Sequence, residues 1–261
     1  MNDLLVWPDR GTYHPGQLVR IQVLAAGRAG GGVRASISHI TTVVATLETE
    51  LGNDGSGILE LVPPPDTRRG YGVDVEVRGP GDLPRIETST AFDVLAHWTH
   101  RPRYGFVTDF APDHKTAETL DSLLPYHVNA LQFYDWQFRH DHLVAPHSDY
   151  QDPLGRRLSL GTVRSLVKEA DARGMASMAY AAVYAASLDF QRGHPEWALY
   201  DEGGRPLEFE GFLGYMDPTP GRPWAEHLLR QCDQTIAELG FDGIHLDQYG
   251  QPRHAFDAAG G

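Results

Sequence analysis

The chain holds a single cysteine, Cys232, among its 261 residues. One thiol cannot form an internal disulfide, and it cannot supply a cysteine cluster for a structural metal. No apolar run approaches the ~20 residues that a membrane-spanning helix needs. The first residues lack the basic flank and long apolar core of a secretory signal, so we expect a cytoplasmic protein, or a secreted one if the start is misassigned.

Positive charge is also scarce, because 22 Lys and Arg stand against 35 Asp and Glu, a formal net charge of -13. Such a chain repels phosphate backbones and anionic lipids, so we expect neither a nucleic-acid nor a membrane partner. The motifs of serine hydrolases, zincins and P-loop proteins are absent, and we expect no cofactor. With 41% apolar residues, the chain is long enough for one large domain or two modest ones.

Residues 1–97 consist of short alternating segments separated by turns. Val19, Ile21 and Val23 alternate with polar residues, and the same pattern recurs from Tyr71 to Val77. Period-2 alternation is typical of strands with one buried face and one solvated face. We therefore expect an immunoglobulin-like β-sandwich over residues 1–97.

Residues 98–261 change character, because predicted strands alternate with predicted helices. The strands cover 104–109, 128–135, 175–184 and the segment 240–250, and helices begin near Asp113, Ser159 and Pro223. Repeated βα units predict a parallel sheet, either a (β/α)8 TIM barrel or a doubly wound domain. A barrel has eight units over roughly 200 residues or more. We therefore expect a barrel that is truncated after about four strands, with a doubly wound four-strand domain as the weaker alternative.

Four predicted strand ends carry a carboxylate: Asp109, Asp135, Asp217 and Asp247. A single aspartate at a strand end often caps the following helix. Four carboxylates at one rim repel one another and destabilise the fold, so their presence indicates that the chemistry requires them. Barrel enzymes place their active groups at that rim. The pattern favours an acidic active site, with Asp247 as the first candidate.

Aromatic and hydrogen-bonding residues are interleaved with these acids. Sugar rings stack their C–H faces on aromatic planes while their hydroxyl groups bind polar side chains. The predicted substrate-binding residues beside the aspartates are Tyr134, Trp136, His140, Tyr184, His245, Gln248 and Tyr249. His140 and His142 form a His-x-His pair without a third placed ligand, so we expect hydrogen bonding there and no metal site.

Five segments in this order, residues 131–141, 152–156, 178–184, 215–218 and 240–250, resemble glycoside hydrolase family 66. That family holds the dextranases and the cycloisomaltooligosaccharide glucanotransferases. The resemblance implies an immunoglobulin-like domain followed by a (β/α)8 barrel, with a nucleophile at Asp247 at the end of barrel strand 4. It also implies sugar contacts at Asp109 and Asp135, and a glutamate acid/base on a later strand beyond Gly261.

The expected function is therefore a retaining glycoside hydrolase or transglycosylase that acts on an α-1,6-glucan such as dextran. We expect residues 1–261 alone to be inactive, because the acid/base is missing. Two alternatives stay open: a glucan-binding protein without catalysis, and a barrel glycosidase that acts on another glycan. The sequence leaves the oligomeric state and the choice between hydrolysis and cyclisation open.

Overall fold

A computed structural model describes residues 3–65, 68–81, 83–248, 250, 252 and 254–261. The chain divides into two compact units. The first comprises Met1–Gly105, Ala117–Ala130 and Glu169–Ala176, and the second comprises Phe106–Thr116, Leu131–Lys168 and Ser177–Gly261. These units follow spatial contacts and not the order of the chain, so the boundary expected between residues 97 and 98 stays a prediction.

The first unit contains two antiparallel sheets. One has the strand order β1-β2-β5 and the other β4-β3-β6-β7. The strands are β1 Leu4–Pro8, β2 Val19–Ala25, β3 Gly32–His39, β4 Thr42–Glu50, β5 Ser56–Leu61, β6 Arg68–Arg78 and β7 Ile86–Leu95.

Alternating side chains of both sheets meet in one apolar core. Val19, Ile21 and Val23 of β2 are buried, as are Val73 and Val75 of β6, while the residues between them face outward. Each fully buried valine or isoleucine side chain contributes roughly 1.5–3 kcal/mol to folding. The β-rich character expected for this region is confirmed, and its immunoglobulin-like relationship stays a prediction.

The described residues form four α-helices, and all of them follow β7 in the chain. They are α1 Thr116–Asp121, α2 Leu160–Ala172, α3 Leu188–Gly193 and α4 Pro223–Leu239. Short 3-10 turns lie at Trp98–His100, Leu124–Tyr126 and Pro195–Trp197. The strands are β8 Tyr104–Val107, β9 Ala130–Phe133, β10 Asp149–Gln151, β11 Arg157–Ser159, β12 Ala176–Ala182, β13 Ala185–Ser187, β14 Glu208–Phe209, β15 Leu213–Tyr215 and β16 Gly243–Asp247. In the described part of the chain, no helix is both long and apolar enough to cross a membrane.

Four of these strands form one sheet in the order β16-β12-β9-β8, and β12 and β16 run parallel. The four are therefore arranged in chain order, with α1 between β8 and β9, α2 before β12 and α4 before β16. This is the alternation that the sequence predicts. Closure of such a sheet into a barrel, whole or truncated, stays a prediction.

The caps of the two longer helices agree with their sequence signals. Ser159 Oγ accepts a hydrogen bond of 3.2 Å from the Gly161 backbone N–H at the start of α2. Gly174, just after α2, has φ +62, and a Cβ there would lie 2.3 Å from the Thr12 carbonyl oxygen, so only glycine fits. Helix α4 starts at Pro223 and ends at Gly240, which has φ +77.

The strand that carries Asp247 differs from its expectation in one respect. The apolar Ile244 and Leu246, set between polar His245 and Asp247, predict a short buried strand, yet Leu246 is 52% exposed. The reason is its position, because β16 is the outer strand of the sheet within the described residues and pairs there with β12 alone. An outer strand has a neighbour on one side only, so its side chains are covered less completely.

Candidate active site

A small cleft, called the strand-end cleft below, lies in the second unit and has a volume of about 180 Å³. It opens where β9 ends and where Gln248 follows β16. Its lining consists of Tyr134, Asp135, Gln137, His140, Asp152, Pro153, Leu154, Tyr180, Phe209, Phe212, Leu213 and Gln248. Four of the predicted substrate-binding residues therefore lie in one cleft, although the first and last of them are more than a hundred positions apart in the sequence.

Asp247, the predicted nucleophile, is the last residue of β16 and directly precedes Gln248. Its Oδ1 accepts a hydrogen bond of 2.7 Å from the Gln248 backbone N–H, which fixes the orientation of the carboxyl group. Gln248 has φ 59, a left-handed backbone conformation that costs a non-glycine residue about 1–2 kcal/mol. Backbone strain of this kind concentrates at functional sites.

The charge of Asp247 reaches the cleft electrostatically. The Asp135 carboxylate raises the pKa of Tyr134, with burial and the charge of Asp247 adding to the effect. Burial raises the pKa of Tyr180, and the charges of Asp247 and Asp135 raise it further. The two tyrosine rings pack edge to face with 5.0 Å between their centroids. Two carboxyl groups and two tyrosines thus form one interacting group.

Asp135 is held from the side by Arg156. The guanidinium donates to Asp135 Oδ2 at 3.1 Å and, through Nε, to Asp152 Oδ2 at 2.7 Å. The Asp152 Oδ1 accepts from the backbone N–H groups of Leu154 at 3.0 Å and Arg156 at 2.7 Å, so the loop that carries the arginine is closed on itself. Burial raises the pKa of Asp135, and the charge of Arg156 opposes that rise.

Three buried polar atoms at the cleft have no hydrogen-bond partner in the described part of the chain: Gln137 Oε1, His140 Nδ1 and Gln248 Oε1. Gln137 Nε2 lies 3.2 Å from His140 Nε2. Burial lowers the pKa of His140 to about 4, so the imidazole is neutral at pH 7. If Nε2 accepts from the amide, Nδ1 carries the proton, and the cleft offers one donor and two acceptors to a ligand.

Several predicted residues make local contacts and do not line the strand-end cleft. Asp109 is exposed, and its Oδ2 lies 3.0 Å from His114 Nδ1. Asp217 accepts from the Thr219 backbone N–H at 3.0 Å and lies 3.3 Å from Arg222 Nε, so both of its oxygens are engaged near their own loop.

Three more of the predicted substrate-binding residues lie in the core or within a strand and do not line the strand-end cleft. Trp136 is fully buried, and its Nε1 donates a hydrogen bond of 3.2 Å to the carbonyl of Tyr180. It therefore contacts the backbone of a residue that lines the cleft. Tyr184 is buried, with its ring 4.7 Å from that of Tyr215, and His245 is paired with Tyr180 in the register of β16 and β12. The last predicted residue, Tyr249, lies outside the described residues. The roles of all these residues in substrate binding stay predictions.

Sequence reasoning did not include Gln137, Asp152 or Tyr180 among the site residues. Tyr180 lies in an alanine-rich strand that reads as core, and Gln137 lies in a loop crowded with better-known ligand types. Gln137 is a polar residue that is almost fully buried, and this combination indicates a functional role. The sequence alone does not show its burial, because burial depends on the fold. Among the described residues, no group of three or more His, Cys, Asp or Glu side chains is arranged to hold a metal ion.

Comparisons with known proteins agree on one family. A family model described as glycosyl hydrolase family 66 matches residues 8–261. Two cycloisomaltooligosaccharide glucanotransferases of Niallia circulans are 30% and 26% identical to the chain, each over 98% of the chain and 28% of the relative. The crystal structure of a Paenibacillus sp. cycloisomaltooligosaccharide glucanotransferase complexed with cycloisomaltoheptaose matches with a TM-score of 0.86 and 27% identity, over 98% of this chain and 39% of that chain. The chain therefore spans well under half the length of these relatives.

Proposed function

Because the chain belongs to glycosyl hydrolase family 66, we propose that it is part of a retaining hydrolase or transglycosylase that acts on α-1,6-linked glucan through Asp247. The relatives support this substrate class, since two are named cycloisomaltooligosaccharide glucanotransferases and a third was crystallised with cycloisomaltoheptaose. In a retaining mechanism one carboxylate attacks the anomeric carbon while a second carboxylic acid, about 5 Å away, protonates the leaving oxygen.

One observation carries the assignment of Asp247. It ends β16, and the next residue, Gln248, lines a cleft in which the charge of Asp247 is felt by Tyr134, Asp135 and Tyr180. A carboxylate that directly precedes a residue lining the cleft, and that is held by a backbone hydrogen bond, is preorganised for attack on a bound sugar. Formation of the Asp247–glycosyl bond would release the first product, and water or a sugar hydroxyl would then release the second.

The polar lining fits the recognition of sugar hydroxyl groups. A hydroxyl both donates and accepts, and the cleft offers unpaired acceptors on Gln137 and Gln248 beside the unpaired Nδ1 of His140. Tyr134 is 38% exposed and packs on Tyr180, which provides an aromatic surface for a sugar ring. Asp135, held by Arg156, would accept from a further hydroxyl.

The leaving-group acid is not assigned to any of these residues. On the family resemblance it is a glutamate of a later strand, and we expect it in the part of the relatives that this chain does not cover. A second function, glucan binding without catalysis, is favoured by the same unpaired polar atoms, because binding needs no acid. Calorimetry with isomaltooligosaccharides that detects binding, together with no product on prolonged incubation of the full-length protein, would favour this second function.

The test is Asp247→Asn in the full-length protein. Loss of an attacking carboxylate is expected to lower the release of isomaltooligosaccharides from dextran by about a thousandfold or more. Binding of isomaltooligosaccharides, measured by calorimetry, should change far less, because asparagine preserves the shape of the side chain. Residues 1–261 alone should release little product. Undiminished turnover by Asp247→Asn would remove Asp247 from the mechanism, and efficient hydrolysis of another glycan would overturn the substrate.

A further inference from the structure

The outer face of the sheet β1-β2-β5 in the first unit carries exposed apolar side chains, Leu5, Leu24 and Ile58, beside polar ones. Leu4 and Val6 of β1 pack into the core, so the alternating residues Leu5 and Trp7 face the other way. Trp7 is paired with Gln22 of β2, and Leu5 is 47% exposed. A half-buried tryptophan on a sheet face, with an exposed leucine beside it, is a surface that core packing does not explain.

This face forms one wall of a cleft of about 610 Å³, called the Trp7 cleft below. All of its lining residues belong to the first unit, and they include Leu5, Trp7, Asp9, Gln22, Asp121 and Arg173. Val6, Leu124, Pro125 and Ala172 complete the lining of the cleft. The Trp7 cleft therefore combines an aromatic ring and aliphatic surface with carboxylate, amide and guanidinium groups.

The charged groups of the Trp7 cleft are held in place by neighbours. Asp121 Oδ1 accepts from Arg173 Nε at 2.7 Å, and Arg173 Nη1 also contacts Glu169 Oε2 at 2.5 Å. Asp9 Oδ1 accepts from the Tyr13 hydroxyl at 2.6 Å. A carboxylate has more lone pairs than one such bond uses, so Asp9 and Asp121 can each accept from a ligand hydroxyl without rearrangement.

We propose that the Trp7 cleft is a second glucan-binding site, separate from the strand-end cleft. Sugar rings offer C–H faces to an indole and hydroxyl groups to carboxylates and amides, which is the mixture found here. The carboxylates of Asp9 and Asp121 disfavour an anionic ligand, and their presence in the lining disfavours a purely apolar one. The α-1,6 linkage of the polymer rests on the proposed function above, whereas the preference for a neutral polyhydroxylated chain rests on this cleft alone.

The test is affinity electrophoresis of the chain in gels that contain dextran or, separately, soluble starch. Trp7→Ala should weaken the retardation by dextran about tenfold in apparent Kd, since loss of an aromatic contact of roughly 1.4 kcal/mol corresponds to that factor. Trp98→Ala is the matched control, because Trp98 is also half-buried in the first unit but does not line the Trp7 cleft. Gln22→Ala should weaken retardation less, and thermal melting of each variant separates lost binding from lost folding.

The outcomes separate this site from the proposed function. The variant Tyr134→Ala reports on the strand-end cleft, so a Trp7→Ala effect that persists in that background supports a second site. Equal mobility of Trp7→Ala, Gln22→Ala and wild type in both gels would overturn the second site while leaving the strand-end cleft intact. Retardation by starch alone that depends on Trp7 would support the site and overturn the α-1,6 linkage.

Discussion

Two groups of polar residues, one in each unit and each with buried side chains, differ in how completely their hydrogen bonds are satisfied. In the first unit, Asp93 accepts from Arg101 at 2.9 Å and from Arg103 at 2.5 Å. Asn129 accepts from the Arg103 backbone N–H at 2.7 Å and donates to the Thr12 hydroxyl at 3.1 Å and to the Arg101 carbonyl at 3.0 Å. These five residues are called the Asp93 network below.

The strand-end cleft is the opposite case, because Gln137, His140 and Gln248 each keep a buried atom without a partner. An unpaired buried polar atom costs roughly 1–3 kcal/mol, which a fold tolerates where a ligand later supplies the bond. A satisfied network is expected to stabilise the protein, and an unsatisfied one is expected to bind. We therefore expect the Asp93 network to stabilise the fold, and on the proposed function we expect the strand-end cleft to bind sugar.

The largest effect expected from this comparison is the loss of stability in Asp93→Ala. The side chain of Asp93 is 8% exposed, and its removal takes away the carboxylate that Arg101 and Arg103 share, although Arg103 keeps the carbonyl of His127 as an acceptor. Because both arginines are partly exposed, we expect a decrease of about 3 kcal/mol in the free energy of unfolding. Urea denaturation measures it. The control Asp74→Ala removes an exposed carboxylate that pairs with Ser89 and should cost less than about 0.5 kcal/mol. Equal costs would contradict a structural role for the network.

Gln248→Gly is expected to have a smaller effect, on ligand binding and not on stability. Glycine relieves the left-handed φ of 59 but gains freedom in the unfolded chain, so the two effects of about 1 kcal/mol each nearly cancel. Stability should therefore stay close to that of wild type, while calorimetry should detect isomaltooligosaccharide binding that is about tenfold weaker, the equivalent of one lost hydrogen bond.

The matched control is Ile40→Gly, which relieves a φ of 54 at a residue that is 84% exposed in the first unit. It should change stability in a similar way and leave binding untouched. If Gln248→Gly were as destabilising as Asp93→Ala, the amide would be part of a structural network and the comparison would fail.

The sequence predicts the strands that position the cleft residues better than it predicts the hydrogen bonds that these residues make. Asp135 and Gln248 could be placed at strand ends because the alternation of strands and helices is strong. Asp217 follows a strand in the same way, yet it bonds to Thr219 two positions later, and sequence does not distinguish such a local turn from a group that points into a site. Burial of Gln137 and exposure of Leu246 depend on which strands are neighbours, and that is a property of the fold.

Asp135 and Asp152 are the exceptions among the lining residues of the strand-end cleft, since both are hydrogen-bonded to Arg156 without a ligand. Of the two neighbouring arginines, Arg156 pairs with Asp135 at 3.1 Å, whereas Arg157 pairs with Asp149 at 2.9 Å. Neighbouring arginines with different partners provide a variant and a matched control for the smallest effect, a change in the titration of Asp135.

In Arg156→Gln the midpoint of the Asp135 titration should move to higher pH. Burial already raises the pKa of this carboxyl above 3.8, and the variant removes the charge that opposes the rise. A carboxyl whose pKa is raised by folding destabilises the protein progressively as the pH increases from 3.8 through the folded-state pKa, so the variant should lose further stability on that side. Carbon-13 NMR of labelled aspartate side chains follows the midpoint directly. Arg157→Gln, the control, should leave the midpoint of the Asp135 titration unchanged. An unchanged midpoint in Arg156→Gln would contradict the pairing of Asp135 with Arg156.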